Sequence, residues 1–195
     1  MDELKTILEK HGYIVNVFSK ASDAGVYLNS RIDGCSVGIG GSSSVEASGA
    51  YELLSSHNNV IWHWKTGEKE KARHAAMETD VYITSVNAIT KHGEMLSIDA
   101  SGNRVSSMLY GHKKIYYIIG KNKITDDLNA AFERVRKYCG PIRAKQLNRN
   151  TPCVKDGTCH DCSSPDRICN GMSIMLRPMN GMQAEILLVD EEIGI

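Results

Sequence analysis

Val37-Gly38-Ile39-Gly40-Gly41-Ser42-Ser43-Ser44-Val45-Glu46 reads as a short apolar strand that enters a helix through a turn of glycine and serine. Glycines in such a turn let the backbone approach a bound anion, free amides at the helix start donate to it, and three hydroxyls add donors. The stretch lacks the later third glycine of a dinucleotide fingerprint and the lysine of a Walker loop. Two readings of equal standing follow: an anion cradle over Gly40, Gly41, Ser42, Ser43 and Ser44, or a turn with a serine cap. Glu46 suits the dipole of a first helical turn better than catalysis.

Outward from this turn, helices alternate with short apolar strands. Residues 2 to 10 carry Leu4, Ile7 and Leu8 on one stripe and stop at His11-Gly12; Tyr13 to Phe18 reads as a strand, and Ser22 or Asp23 caps a helix through Leu28. Val60 to Trp64 and Val81 to Val86 read as strands on either side of a helix over 69–77, and Lys114 to Gly120 is the most continuous buried strand. Leu128, Ala131, Phe132 and Val135 share one face of a helix over 126–138. The alternation predicts an α/β protein, a Rossmann-like, mostly parallel sheet with helices on both faces. Residues 173–176 and 184–189 are expected to return to that sheet. A cysteine-rich, metal-binding insertion over residues 141–172 then interrupts a single domain spanning residues 1–195.

The 195 residues balance 23 Lys and Arg against 23 Asp and Glu, without a basic stripe interleaved with aromatics, which excludes nucleic acid as a partner. Apolar runs such as Ile115–Ile119 are too short to cross a bilayer, and Met1-Asp2-Glu3-Leu4-Lys5 does not resemble a signal, so a cytoplasmic protein without a membrane partner is expected.

Cys35 and Cys139 stand alone, whereas Cys153, Cys159, Cys162 and Cys169 crowd into C-x5-C-x2-C-x6-C within a polar stretch that cannot make its own core. The central C-x2-C lets two sulfurs reach one centre from a tight turn and the outer cysteines complete it, as a [4Fe–4S] iron–sulfur cluster or as four-thiolate zinc. The unequal gaps and neighbouring prolines lean toward iron–sulfur.

A polar constellation falls where strands stop: Thr84, Ser85 and Asn87, then Glu94, Asp99, Asn103 and Arg104. In an open α/β sheet such positions meet ligands. Asp99 or Glu94 is a candidate general base and Arg104 a candidate clamp for carboxylate or phosphate. From spacing alone, a turn rich in asparagine with a solvent salt bridge is the preferred account of them. The histidines, among them His57, His63, His74, His92 and His112, are too dispersed for a metal set, and Trp62 and Trp64 read as core.

Taken together, Gly38-Ile39-Gly40-Gly41-Ser42, Ser85-Val86-Asn87-Ala88-Ile89-Thr90, Gly102-Asn103-Arg104-Val105 and the cysteine segment resemble the LUD-domain family of lactate-utilisation proteins. The family is similar in fold to ribose-5-phosphate isomerase, glucosamine-phosphate deaminase and coenzyme A transferases. The resemblance implies involvement in oxidising L-lactate to pyruvate alongside iron–sulfur proteins, with Gly40 to Ser44, Asn87, Asp99, Asn103 and Arg104 around one cleft. The cysteine segment departs from the simplest family members. Three functions remain open: a redox accessory that binds a small anionic organic acid and works with a redox partner protein; an isomerase or transferase acting on a phosphorylated or CoA-linked substrate with structural zinc; and a non-catalytic subunit that docks a partner.

Overall fold

The structure, a computed structural model, describes residues 1–195. Along the chain, α1 (Asp2–Lys10) precedes β1 (Ile14–Phe18), α2 (Ala21–Arg31), β2 (Ser36–Ile39), the short helices α3 (Ser43–Ala47) and α4 (Ala50–Leu54), β3 (Asn59–Trp62), α5 (Lys69–Ala76) and β4 (Val81–Thr84). A hairpin of β5 (Ala88–Thr90) and β6 (Met95–Asp99) leads through α6 (Asn103–Leu109) to β7 (Lys114–Gly120) and β8 (Ile124–Thr125). Helix α7 (Leu128–Glu133) passes through a wider π turn (Arg134–Cys139) into α8 (Gly140–Gln146); α9 (Pro152–Asp156), β9 (Gly171–Met175) and β10 (Gln183–Val189) complete the chain. No helix is long and apolar enough to cross a membrane.

The main sheet has six strands in the order β1-β10-β7-β4-β2-β3, every neighbouring pair parallel. Strand side chains alternate between faces, and the two most apolar strands divide accordingly. Ile115, Tyr117, Ile119, Ile186 and Leu188 face a core that includes Leu4 and Leu8 of α1 and Met108 of α6. Tyr116, Ile118, Leu187 and Val189 face the opposite core with Ala24 and Leu28 of α2 and Leu54 of α4. Both faces are thus covered by helices, as the alternation predicted, and each fully buried Leu or Ile contributes about 1.5–3 kcal/mol. Helix α2 packs closely on the turn between α3 and α4 at Gly25, where a Cβ would lie 2.0 Å from the Ser48 carbonyl oxygen.

Two expectations are corrected. Residues 171–175 do not rejoin the main sheet: β9 pairs antiparallel with β6 in a second, four-stranded sheet of order β8-β5-β6-β9, while β10 alone returns, between β1 and β7. Exposed Ile174 and half-buried Met172 suit this partly solvated layer better than a strand covered on both faces. The helix expected over 126–138 instead begins at Leu128 and continues, through the π turn and past Pro141, to Gln146. A π turn shifts the hydrogen-bond ladder just before the proline, where the missing N–H would otherwise leave a gap. Of the stretch expected as an insertion, residues 141–146 belong to α8, and the four cysteines fall on α9 and the irregular chain from 157 to 170.

Candidate functional site

The chain leaves β2 toward β3 at the sheet edge but leaves β4 toward β7 on the other side, so a crevice opens beyond the carboxyl ends of these two neighbours. A cleft of about 400 Å³ occupies it. Gly41, Ser42 and Ser43 follow β2 into its wall, His63 and Trp64 follow β3, and Ser85, Val86 and Asn87 follow β4. Lys123, just beyond β7, lies at its floor, buried. Asp99, Asn103 and Arg104 close one side, Cys139, Gly140 and Arg143 another.

The glycine turn faces the cleft only in part. Gly40 still belongs to the sheet, donating its N–H to Ile83 O, and a Cβ there would lie 2.9 Å from the hydroxyls of Thr84 and Tyr82. Thr84 is fully buried behind it. Ser42 caps α3 by accepting from Val45 N at 3.2 Å, and Ser44 turns away to donate to Ile193 O. The cap reading is therefore realised, and Gly41, Ser42 and Ser43 also present themselves to the cleft.

Asp99 and Arg104 do meet Asn87, but as a brace between the two sheets. Arg104 donates to Ser85 O and Ile98 O at 2.8 Å and to Asn87 Oδ1 at 2.9 Å. The same Asn87 oxygen accepts from Ile98 N. Asp99 accepts the backbone N–H groups of Arg104 and Val105 at the start of α6, and that of Ser101. A guanidinium with three acceptors and a carboxylate with three donors have little capacity left for a ligand. Asn103 sits on the rim. Glu94 lies apart from this group: the hairpin brings its two ends, Asn87 and Asp99, to the cleft and puts Glu94 at its turn, against the Thr90 hydroxyl. The length of β6, at about 3.3 Å per residue, carries it roughly 15 Å away.

Sequence reasoning missed four residues that shape the cleft. Trp64, read as core, is half-buried, stacks on Trp62 and carries the Arg143 guanidinium 5.0 Å from its ring centre. Arg143 is half-buried without a carboxylate partner; its side chain donates only to Gln146. Burial, then the neighbouring Arg104 charge, weakens its hold on its proton. His63 is buried, its Nδ1 has no hydrogen-bond partner, and burial followed by the charges of Arg73 and Lys69 pushes its pKa down to about 4. Lys123 is pushed down to about 7, by burial first. No motif announces these residues, because each becomes a cleft residue only when its strand end is brought beside the others. With Lys69, Arg73, Arg143 and Arg149 on its walls and Asp99 its one carboxylate side chain, already engaged, the cleft is electropositive.

Cys153, Cys159, Cys162 and Cys169 line one small cavity over Pro141 and Ala144. The guanidinium of Arg136 lies 3.6 Å from Cys159 Sγ, and Arg167 donates to the carbonyls of Cys162 and Cys169. The thiols nonetheless do not form the closed set the spacing suggests: no group of three or more His, Cys, Asp or Glu side chains is arranged to hold a metal ion. This cavity shares Gly140, Ile168 and Cys169 with the wall of the large cleft.

Fold and site together define an α/β protein with an electropositive cleft at the carboxyl edge of a parallel sheet, flanked by a cluster of thiols. The chain belongs to the LUD-domain family, whose model matches residues 1–189. The crystal structure of a DUF162 family protein from Deinococcus radiodurans is similar in fold, with a TM-score of 0.56 over 96% of this chain and 94% of that one at 11% sequence identity. No curated protein matches the chain.

Proposed function

We propose that this is a lactate-utilisation-type redox accessory protein or subunit, which binds a small anionic organic acid in the cleft and holds an iron–sulfur centre on Cys153, Cys159, Cys162 and Cys169. Membership of the LUD family supports the process. The observation that carries the reading is the shared wall: Cys169 and Ile168 belong to both the thiol-lined cavity and the cleft, so a centre held there adjoins whatever the cleft binds. The donor set suits either thiolate-bound metal, and Arg136 and Arg167 beside it offset the negative charge of four thiolates. When bound, an iron–sulfur cluster supplies one-electron capacity, which a partner protein must deliver or remove.

The chain's own residues account for the acid. Arg143, its guanidinium 5.0 Å from the Trp64 ring centre and without an ion-paired carboxylate, presents a planar donor to a carboxylate group, and Gly41 to Ser43 offer backbone and hydroxyl donors in the same cleft. The hydrophobic face of Trp64 limits water around it. The excess of cations also favours a second reading, an isomerase or transferase acting on a phosphate ester with structural zinc on the thiols.

Anaerobic purification followed by an absorption spectrum, metal analysis and calorimetric titration with L-lactate and with inorganic phosphate separates the two. Near-stoichiometric iron and sulfide with lactate binding is the expected result. Colourless zinc protein that binds phosphate but not lactate overturns it in favour of the second reading.

A further inference from the structure

Among side chains that ordinarily carry a charge at neutral pH, one carboxylate and one amine lie deep in the molecule with almost no exposure, and only the carboxylate is electrostatically accounted for. Glu185 faces Lys114 at 2.7 Å and accepts from Tyr27 and Asn16. Lys123, only 3% exposed, has no such partner: the charges that bear on it are the guanidiniums of Arg104 and Arg134, of like sign, and the Cys139 thiol. Its Nζ lies 2.9 Å from Ser44 Oγ, 2.9 Å from Ser85 Oγ and 3.0 Å from Val86 O, and Lys123 and Ser85 both line the floor of the cleft. An amine buried beside like charges and neutral hydroxyls is destabilised as an ammonium, which is the condition that makes lysine a nucleophile toward carbonyl groups. Its pKa of about 7 leaves an appreciable fraction with a free lone pair at neutral pH.

We propose that Lys123 is a nucleophilic amine with which the cleft forms an imine to a small 2-oxo acid. The proposal rests on reading the cleft as a small-acid site and is independent of any metal on the cysteines. The Nζ lone pair adds to the keto carbon while the C=O π pair moves to oxygen; that oxygen gains a proton as nitrogen loses one, relayed by the Ser85 hydroxyl, to give a carbinolamine. Departure of the new hydroxyl as water, with the remaining nitrogen proton, leaves the C=N bond. One water is released and nothing is oxidised or reduced. Arg143 holds the carboxylate, and the Ser44 hydroxyl keeps Nζ directed at the floor. Once protonated, the imine withdraws electrons from the adjacent carbon, which opens proton exchange, addition or cleavage at that carbon.

The test uses the anaerobically purified full chain with pyruvate and sodium cyanoborohydride, read by intact mass and peptide mapping. One reduced pyruvyl group per chain is expected, located on Lys123, forming faster as pH rises through about 7 and absent from Lys123→Met. Without the reductant, the protein in D2O should exchange the methyl protons of pyruvate, and Lys123→Met should not. Should Lys123→Met fail to fold, the map of the unaltered chain still decides. Pyruvate binding by calorimetry without an adduct at Lys123, or adducts scattered over exposed lysines, overturns the imine and leaves the small-acid reading intact; absence of binding overturns both.

Discussion

The cleft and the cysteine segment share a wall yet are built by opposite means. Cleft residues project from strand ends and are fixed by the two main cores and by the Arg104–Asn87–Asp99 brace, so the cavity is formed before anything binds. The cysteine segment has irregular chain over 157–170, held by polar ties such as Asn170 N to Asp99 O, Asn150 N to Asp166 and the Arg136–Asp161 pair. Exposed ion pairs of that kind contribute about 0–1 kcal/mol each. One region is ordered by burial; the other is held mainly by polar ties at the surface.

The brace gives the sharpest way to break this contrast. Arg104→Leu leaves the Ser85 and Ile98 carbonyls and Asn87 without their donor, and should lower stability by about 3–5 kcal/mol in urea denaturation. A loss below about 1 kcal/mol would show that the cleft, like the loop, is loosely held.

Next in size is an acid effect at His63. Its folded pKa of about 4 lies below the ordinary value near 6.5 of an unfolded histidine. Between these values the unfolded chain binds the proton and the folded chain does not, so stability falls as pH drops through that window and levels off below it. The loss should be roughly 3 kcal/mol by pH 4. His63→Phe should shrink that loss while leaving the acid response of the cysteine loop alone; equal acid sensitivity in both proteins would place the titration elsewhere.

Gly41→Val separates occupancy from folding. A Cβ at Gly41 would already lie 3.3 Å from Trp64 Nε1 and 3.5 Å from His63 Cε1, and the branched methyls extend into the same wall. Anion affinity should fall at least tenfold, about 1.4 kcal/mol, with a smaller change in melting temperature. Undiminished binding in a folded variant would remove the glycine turn from the site. The smallest effect on the domain is expected from Cys162→Ser: metal content should be lost and protease cleavage within 157–170 increased, while denaturation of the sheets shifts by less than about 0.5 kcal/mol. A large global shift would mean that the loop supports the fold, contrary to the contrast drawn above.

Much of the architecture was legible because burial writes itself into local pattern. The run Lys114–Gly120 read as a continuous buried strand and residues 184–189 as a strand returning to the sheet, and β7 and β10 are neighbouring interior strands of it. The brace was half legible: Asn87, Asp99 and Arg104 stood out as a group, but spacing cannot tell an arginine that grips a ligand from one that grips three protein acceptors. The helix read over 126–138 runs on past Pro141 because a π turn accommodates the proline within a packed helix, which local pattern does not announce.

By itself the sequence determined the α/β alternation, the glycine–serine turn and the gathering of four thiols, all of which depend on neighbours within a few residues. Only the tertiary structure decided that β9 joins a second sheet, that Glu94 stands away from the cleft, and that His63, Trp64, Lys123 and Arg143 converge on it. Strands distant in sequence meet side by side in a parallel sheet, and the unusual proton affinities of Lys123 and His63 arise from desolvation and from charges on other elements. Neither property exists until those elements pack.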